Sequence, residues 1–379
     1  MFALLTSVVM AATPFAPLPS QILASADVRA ALAGGDLVVA RPLKQGHKRA
    51  FTGLALVPRP CDDLHRILRD PMQYPKIYPM VERTRVLRTK AGRTDFEMVI
   101  TAGPGSSTRE LSIQELPGRV LHTEQEAGHS TWHFFDVGDK ACIAHFSHDE
   151  DFTSDSLMLR MAMSGKEPIV EGIKSAAAVG NVRNVRSHFS AGQPVVVVAP
   201  EIIERALARL SGVGTTAFLA HGAGAPVLVA TRVSQPAAQV LDVAKHSERW
   251  NTAIPMFSAT VGAARADRSR RMNYTLTSLF EDIEFESVQE SGPVQVEERI
   301  VGGDLQTGGW TWRVVTQTTD QALLLSMRLH IEEGDWLVSQ ITRYDRTAQE
   351  GTVLGIAFML VEKVVVLANA PARPAESKP

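Results

Sequence analysis

Residues 57–81 come back, without a gap, at residues 233–257: Pro60 matches Pro236, Leu64 matches Val240, Tyr74 matches Trp250, and Pro79-Met80 matches Pro255-Met256. The offset, 233 minus 57, is 176 throughout. A repeat of this length predicts two copies of one domain, not one long fold. Upstream, Arg29-Ala-Ala-Leu-Ala-Gly-Gly resembles Arg205-Ala-Leu-Ala-Arg-Leu-Ser-Gly, a short helix closed by glycine, and each copy continues into two apolar strands. Downstream, Gly128-His-Ser-Thr-Trp132 resembles Gly308-Gly-Trp-Thr-Trp312. The copies are set at 25–190 and 200–370 and join near Ser190-Ala-Gly-Gln-Pro194, with a leader over 1–24 and a disordered tail over 371–379.

Within a copy the pattern predicts strand, short helices, a run of antiparallel strands and a long helix. Pro60 at a first helical position, with Asp62 and Asp63 in the first turn, opens a helix whose inward face is Leu64, Ile67 and Leu68. Six alternating segments follow at 83–90, 94–101, 107–115, 119–126, 130–137 and 141–150, most of them separated by Gly or Pro. The closing helices are Pro168 to Phe189 and Thr347 to Asn369. In the second copy both 321–332 and 335–345 read as strands, one more than the first copy carries.

Composition narrows the function classes. Thirty-nine Lys plus Arg against forty-one Asp plus Glu give a net charge of −2, so no basic field exists to hold a phosphate backbone, and nucleic acid is excluded as a partner. Two cysteines cannot build a disulfide scaffold or a four-thiolate zinc site. From Met1 to Ala26 there is no charged residue, and the apolar run 2–10 followed by Ala11-Ala12 reads as a compact secretory signal. The expected location is therefore periplasmic or secreted. Val353 to Ala368 is interrupted by Glu362-Lys363 and reads as a buried helix, so no integral span is expected.

The Pro-x-x-x-Leu helix, the aromatic-Pro-x-x-x-Pro-Met segment, the six-strand meander and the long final helix together resemble the START-like superfamily, also called SRPBCC or Bet v 1-like and including polyketide cyclases. The resemblance covers two copies. It implies an α+β fold of tandem helix-grip domains, each a curved antiparallel sheet of about seven strands around the long C-terminal helix, enclosing an apolar cavity. It also implies that the strand ending before Cys61 pairs with the strand starting at Cys142, which would bring the two cysteines within reach of a disulfide.

A sheet wrapped round a helix leaves volume that side chains or a ligand must fill. The expected lining is Tyr74, Tyr78, Met80, Trp132, Phe134, Met158 and Met161 in the first copy. In the second it is Trp250, Met256, Phe257, Trp312, Phe358 and Met359. Residues 155–168 join strand to helix and are expected to cover the cavity mouth, with Met158, Met161 or Met163 pointing inward. For each residue, plain core packing is the alternative.

No nucleophile elbow, phosphate loop or zinc-protease motif is present, and no cofactor is implied. Five histidines cluster at 122, 129, 133, 145 and 148. His129 and His133 share a strand face, yet the set is expected to be exposed strand residues and not a metal site. The function expected is an exported, non-enzymatic carrier of a lipid, sterol, quinone or similar molecule, with transient membrane contact. Two alternatives stand beside it. One is a di-domain polyketide aromatase/cyclase drawing on Glu97, Ser107, Arg109, Glu110, Tyr274, Thr277 and Glu281; the other is an interaction module with filled cavities.

Overall fold

The computed structural model describes residues 15–42, 49–102, 105–126, 128–149, 167–190, 194–221, 225–254, 257–264, 269–277, 282–305, 307–317, 320–330 and 347–370. The first unit opens with α1 (Ser20–Leu23) and α2 (Ala26–Gly34), then β1 (Gly35–Pro42) and β2 (Arg49–Val57). α3 (Cys61–Leu68), a 3-10 turn (Pro71–Gln73) and α4 (Tyr74–Ile77) follow. The meander is β3 (Val81–Lys90), β4 (Arg93–Ala102), β5 (Gly105–Leu116), β6 (Val120–Gln125), β7 (Gly128–Asp136) and β8 (Cys142–His148), and α5 (Glu167–Phe189) closes the unit. The second unit is α6 (Pro200–Leu210), β9 (Thr215–Ala220), β10 (Val227–Val233), α7 (Ala237–Lys245) and a 3-10 turn (Ser247–Thr252). It continues with β11 (Phe257–Ala264), β12 (Arg270–Thr277), β13 (Asp282–Ser291), β14 (Gln295–Gly303), β15 (Thr307–Gln317), β16 (Asp320–His330) and α8 (Thr347–Asn369).

All six expected meander strands are found within a few residues. Among the described residues each unit carries eight strands, β1 and β2 (β9 and β10 in the second unit) joining the six of the meander in one sheet. The segment 321–332 is β16; the expected strand at 335–345 lies outside the described residues. Pro60 stands one position earlier than expected, as the N-cap of α3.

The register confirms the repeat. On neighbouring strands Gly53, Phe146 and Trp132 lie side by side in the first unit, and Val229, Leu325 and Trp312 do so in the second. Gly53 and Val229 differ by 176, the offset of the sequence repeat, so the two tryptophans hold equivalent places on β7 and β15.

The units share one antiparallel sheet of sixteen strands, ordered β11, β12, β13, β14, β15, β16, β10, β9, β1, β2, β8, β7, β6, β5, β4, β3. They meet where β1 pairs with β9, with Val39 opposite Thr216 and Ala40 opposite Thr215. Residue 39 plus the offset is 215, so equivalent strands pair antiparallel and a pseudo-two-fold axis passes between them. This joint removes the edge that each unit would otherwise expose. Both faces of the central strands are covered: Leu37, Val39, Leu54 and Phe218 pack outward under α1, α2 and α6. Val38, Ala40, Ala217 and Leu219 pack inward under α8, in one core with Ala178 and Val179 of α5.

On the inner side α5 and α8 touch each other. A Cβ on Gly172 would lie 2.7 Å from the Gly355 Cα, and one on Gly351 would lie 2.5 Å from the Ala176 Cβ. The motifs Gly172-x-x-x-Ala176 and Gly351-x-x-x-Gly355 thus let two backbones cross in contact. Charged groups flank the crossing. Arg183 Nε donates to Asp36 at 2.9 Å, and Arg186 donates to the same carboxylate. Arg183 also pairs with Glu350 of α8, while Arg49 of β2 pairs with Glu362 of α8 and lies 3.5 Å from Glu171. Burial alone would raise the Asp36 carboxyl, but the neighbouring His221 and the Arg183 and Arg186 charges hold it well below the usual carboxylate range.

Cys142 opens β8 opposite Val57, the end of β2, and Cys61 follows at the start of α3. The two form a disulfide with Cα atoms 5.0 Å apart. Among the described residues no helix is long and apolar enough to cross a membrane, which says nothing of a β-barrel.

Candidate functional site

Of the residues expected to line a cavity, Tyr74, Tyr78, Trp132 and Phe134 pack in the core of the first unit, and Trp250, Phe257, Trp312, Phe358 and Met359 in that of the second. In the first, Trp132 and Phe134 alternate inward from β7 and stack with ring centroids 6.2 Å apart, and Phe146 lies 4.7 Å from Trp132. Tyr74 and Tyr78 are half-buried against this core. Tyr74 donates its hydroxyl to the Leu68 carbonyl at 2.9 Å and meets Phe96 and Tyr78 edge-on. Burial raises both phenols above their ordinary range. Met80 is half-buried at the turn into β3. Met158, Met161 and Met163, with the expected mouth segment, lie outside the described residues, as does Met256.

The second interior holds Trp250, Phe257, Trp312, Phe358 and Met359, all buried in one cluster. Trp250 meets Trp312 edge-on at 5.7 Å and donates its indole N–H to the Val243 carbonyl at 2.9 Å. Phe257, Tyr274, Phe285 and Trp310 extend this aromatic packing.

Inside this aromatic box sits a polar cluster of which the sequence reading named only Tyr274. Glu298 of β14, 1% exposed, accepts hydrogen bonds from the Tyr274 hydroxyl, from Ser287 Oγ at 2.9 Å and from Gln289 Nε2 at 2.9 Å. Because the one Tyr274 proton goes to Glu298, Ser247 donates to the Tyr274 oxygen at 2.8 Å. Desolvation raises the Glu298 carboxyl above 4.5 despite the three donors, and burial beside that carboxyl raises the Tyr274 phenol well above its ordinary range. Three buried polar atoms here have no hydrogen-bond partner: Gln289 Oε1, Trp310 Nε1 and Trp312 Nε1. Each such atom costs about 1–3 kcal/mol when left unmatched.

The cluster belongs to the second unit alone. Gln289, Glu298 and Trp310 lie side by side on β13, β14 and β15. Their counterparts, fixed by the register, are Ile113, Thr123 and Ser130. Of the residues named for a cyclase, Tyr274 faces inward, Glu97 pairs with Arg85, and Ser107, Glu110 and Thr277 are exposed. Glu281 lies outside the described residues.

The histidines require a correction, since they are not exposed. His122, His145 and His148 are 2%, 0% and 0% exposed. His148 faces inward, with Nε2 2.8 Å from the Lys174 carbonyl. The others face outward but lie beneath the segment 15–18: the Leu18 amide donates to His145 Nε2 at 3.2 Å, and His133 Nε2 donates to the Phe15 carbonyl at 2.8 Å. Arg41 donates to the Ala16 carbonyl at 2.9 Å. Among the described residues no group of three or more His, Cys, Asp or Glu is placed to hold a metal ion.

Two tandem helix-grip units, joined edge to edge, define the class of protein. No family profile and no curated protein matches the chain. Solved structures to which it is similar include the di-domain ARO/CYC BexL from the BE-7585A biosynthetic pathway, at 16% identity over 86% of this chain and 100% of that one, with a TM-score of 0.30. The Zhui aromatase/cyclase from Streptomyces sp. R1128 is 20% identical over 38% of this chain and 99% of that one, with a TM-score of 0.31. The lipid transfer and protein localization domain of human StarD13 is 14% identical over 41% of this chain and 85% of that one, with a TM-score of 0.33. The strand order and the helix placement, and not these likenesses, define the fold.

Proposed function

We propose that the protein binds or carries a hydrophobic small molecule, of the lipid, sterol or quinone kind, against the inner face of its second unit. The observation that carries this reading is the set of unmatched polar atoms at Gln289, Trp310 and Trp312 beside the Glu298 cluster, inside a core otherwise built of aromatic and aliphatic side chains. A ligand with one polar group, a carbonyl or hydroxyl, would accept from an indole or donate to Gln289 while its apolar body supplies affinity at about 25 cal/mol per Å². Glu298, Tyr274 and Ser287 hold Gln289 in place. Export to the periplasm or beyond rests on the uncharged leader and is supported by the Cys61–Cys142 bond, of a kind that persists in oxidising compartments.

A second reading, an interaction module with filled interiors, is favoured by the close burial of Trp250, Trp312 and Tyr274. Titrating the full chain with cis-parinaric acid separates the two. Saturable energy transfer from tryptophan, weakened in Gln289→Leu and Trp310→Phe, supports the carrier; no saturable transfer supports the interaction module.

A further inference from the structure

The register that equates Trp132 with Trp312 also matches the outer faces of the units position by position. Thr131 and Ser147, opposite each other on β7 and β8, correspond to Thr311 and Ser326 on β15 and β16. His129 corresponds to Gly309, His122 to Glu297, Glu124 to Arg299 and Asp149 to Arg328. In the first unit this patch is occupied. The Phe15 ring stacks on His129 at 4.3 Å, its amide donates to Thr131 Oγ1 at 3.2 Å, and His129 and His122 lie 3.2 and 3.7 Å from Asp149 and Glu124.

In the second unit the same patch is an open concavity of about 200 Å³ with Gly308 and Gly309 as its floor. Both acidic positions have become arginine. Arg299, Gly309 and Arg328 lie in register on three adjacent strands, so the two arginine stems rise about 9.5 Å apart with no side chain between them. Neither guanidinium has a hydrogen-bond or ion-pair partner among the described residues, and the Thr311 and Ser326 hydroxyls beside them are equally unengaged. Two guanidinium-bearing side chains lining one concavity with two hydroxyl donors match a tetrahedral oxyanion. Glu297 on the rim suits a hydroxyl or ammonium on whatever bears it.

We propose that this concavity on the outer face of β14, β15 and β16 binds a phosphate group, either free, in a small phosphomonoester, or on an anionic phospholipid headgroup. The test titrates the full chain with inorganic phosphate and with glycerol phosphate by calorimetry, and measures flotation with phosphatidylcholine vesicles with and without phosphatidic acid. Arg299→Ala and Arg328→Ala are each expected to weaken binding roughly tenfold and together to abolish it. The melting temperature should be unchanged, because neither arginine has a partner to lose. Binding of phosphate or its ester without flotation assigns a soluble ligand; flotation only with phosphatidic acid, lost in the double variant, assigns the headgroup. Absence of both, or binding that survives the double variant, overturns the proposal.

Discussion

A carboxyl that accepts three hydrogen bonds would ordinarily titrate low, and Glu298 does the reverse because its desolvation outweighs the donors. A carboxyl raised on folding stabilises the fold fully below 4.5, and that contribution is lost as pH rises through the folded value. Glu298→Gln is therefore expected to gain on the parent chain in melting temperature as pH rises from 5 to 8, with little difference at pH 4; parallel curves would refute this. His145 runs the other way. Burial first, then the neighbouring His133 and Arg41 charges, hold it well below 6.5, as its acceptor role toward Leu18 requires. Its contact with segment 15–18 is thus complete above 6.5 and lost as pH falls through the folded value. The protection factor of the Leu18 amide, corrected for intrinsic exchange, should drop on acidification, and a constant factor would contradict that. Glu298 was legible in principle, since Val296-x-Glu298-x-Ile300 places it in an inward slot of a period-two strand. The buried histidines were not legible, because nothing local to β7 and β8 reveals that a segment more than a hundred residues upstream lies over them.

At the scale of elements, strands and helices were readable because each copy repeats the same periodicities, and the two tryptophans fall on equivalent strands. What the repeat could not convey is how the copies meet. The signal was present in Leu37–Ala40 and Ala217–Leu219, apolar on both faces where a one-sided sheet would alternate, as strands covered on two sides must be. The crossing of α5 and α8 follows from small residues spaced by four. Gly355→Leu would force its side chain into the Gly172 backbone and should destabilise by about 1–3 kcal/mol or more in urea unfolding. Val366→Leu, on an exposed face of the same helix, should change little; equal effects would deny the backbone contact.

Across the whole molecule, one sheet, one helix pair and a buried charge network tie the units together, so they should unfold as one. Asp36 lies 147 residues from Arg183 and 185 from His221, a separation no sequence window spans. Asp36→Asn leaves two guanidinium groups without their buried anion and should cost about 3–5 kcal/mol, seen as a single shifted urea transition. Two separated transitions in the parent chain would show the units to be independent. The claim that a hydrophobic molecule occupies the second interior is tested most directly by native mass spectrometry of the full chain purified from its own host. The expected result is a mass above that of the disulfide-bonded polypeptide, released by organic extraction as an apolar compound with one polar group, and reduced in Trp310→Phe. A mass equal to the bare polypeptide, with nothing extracted, would contradict it.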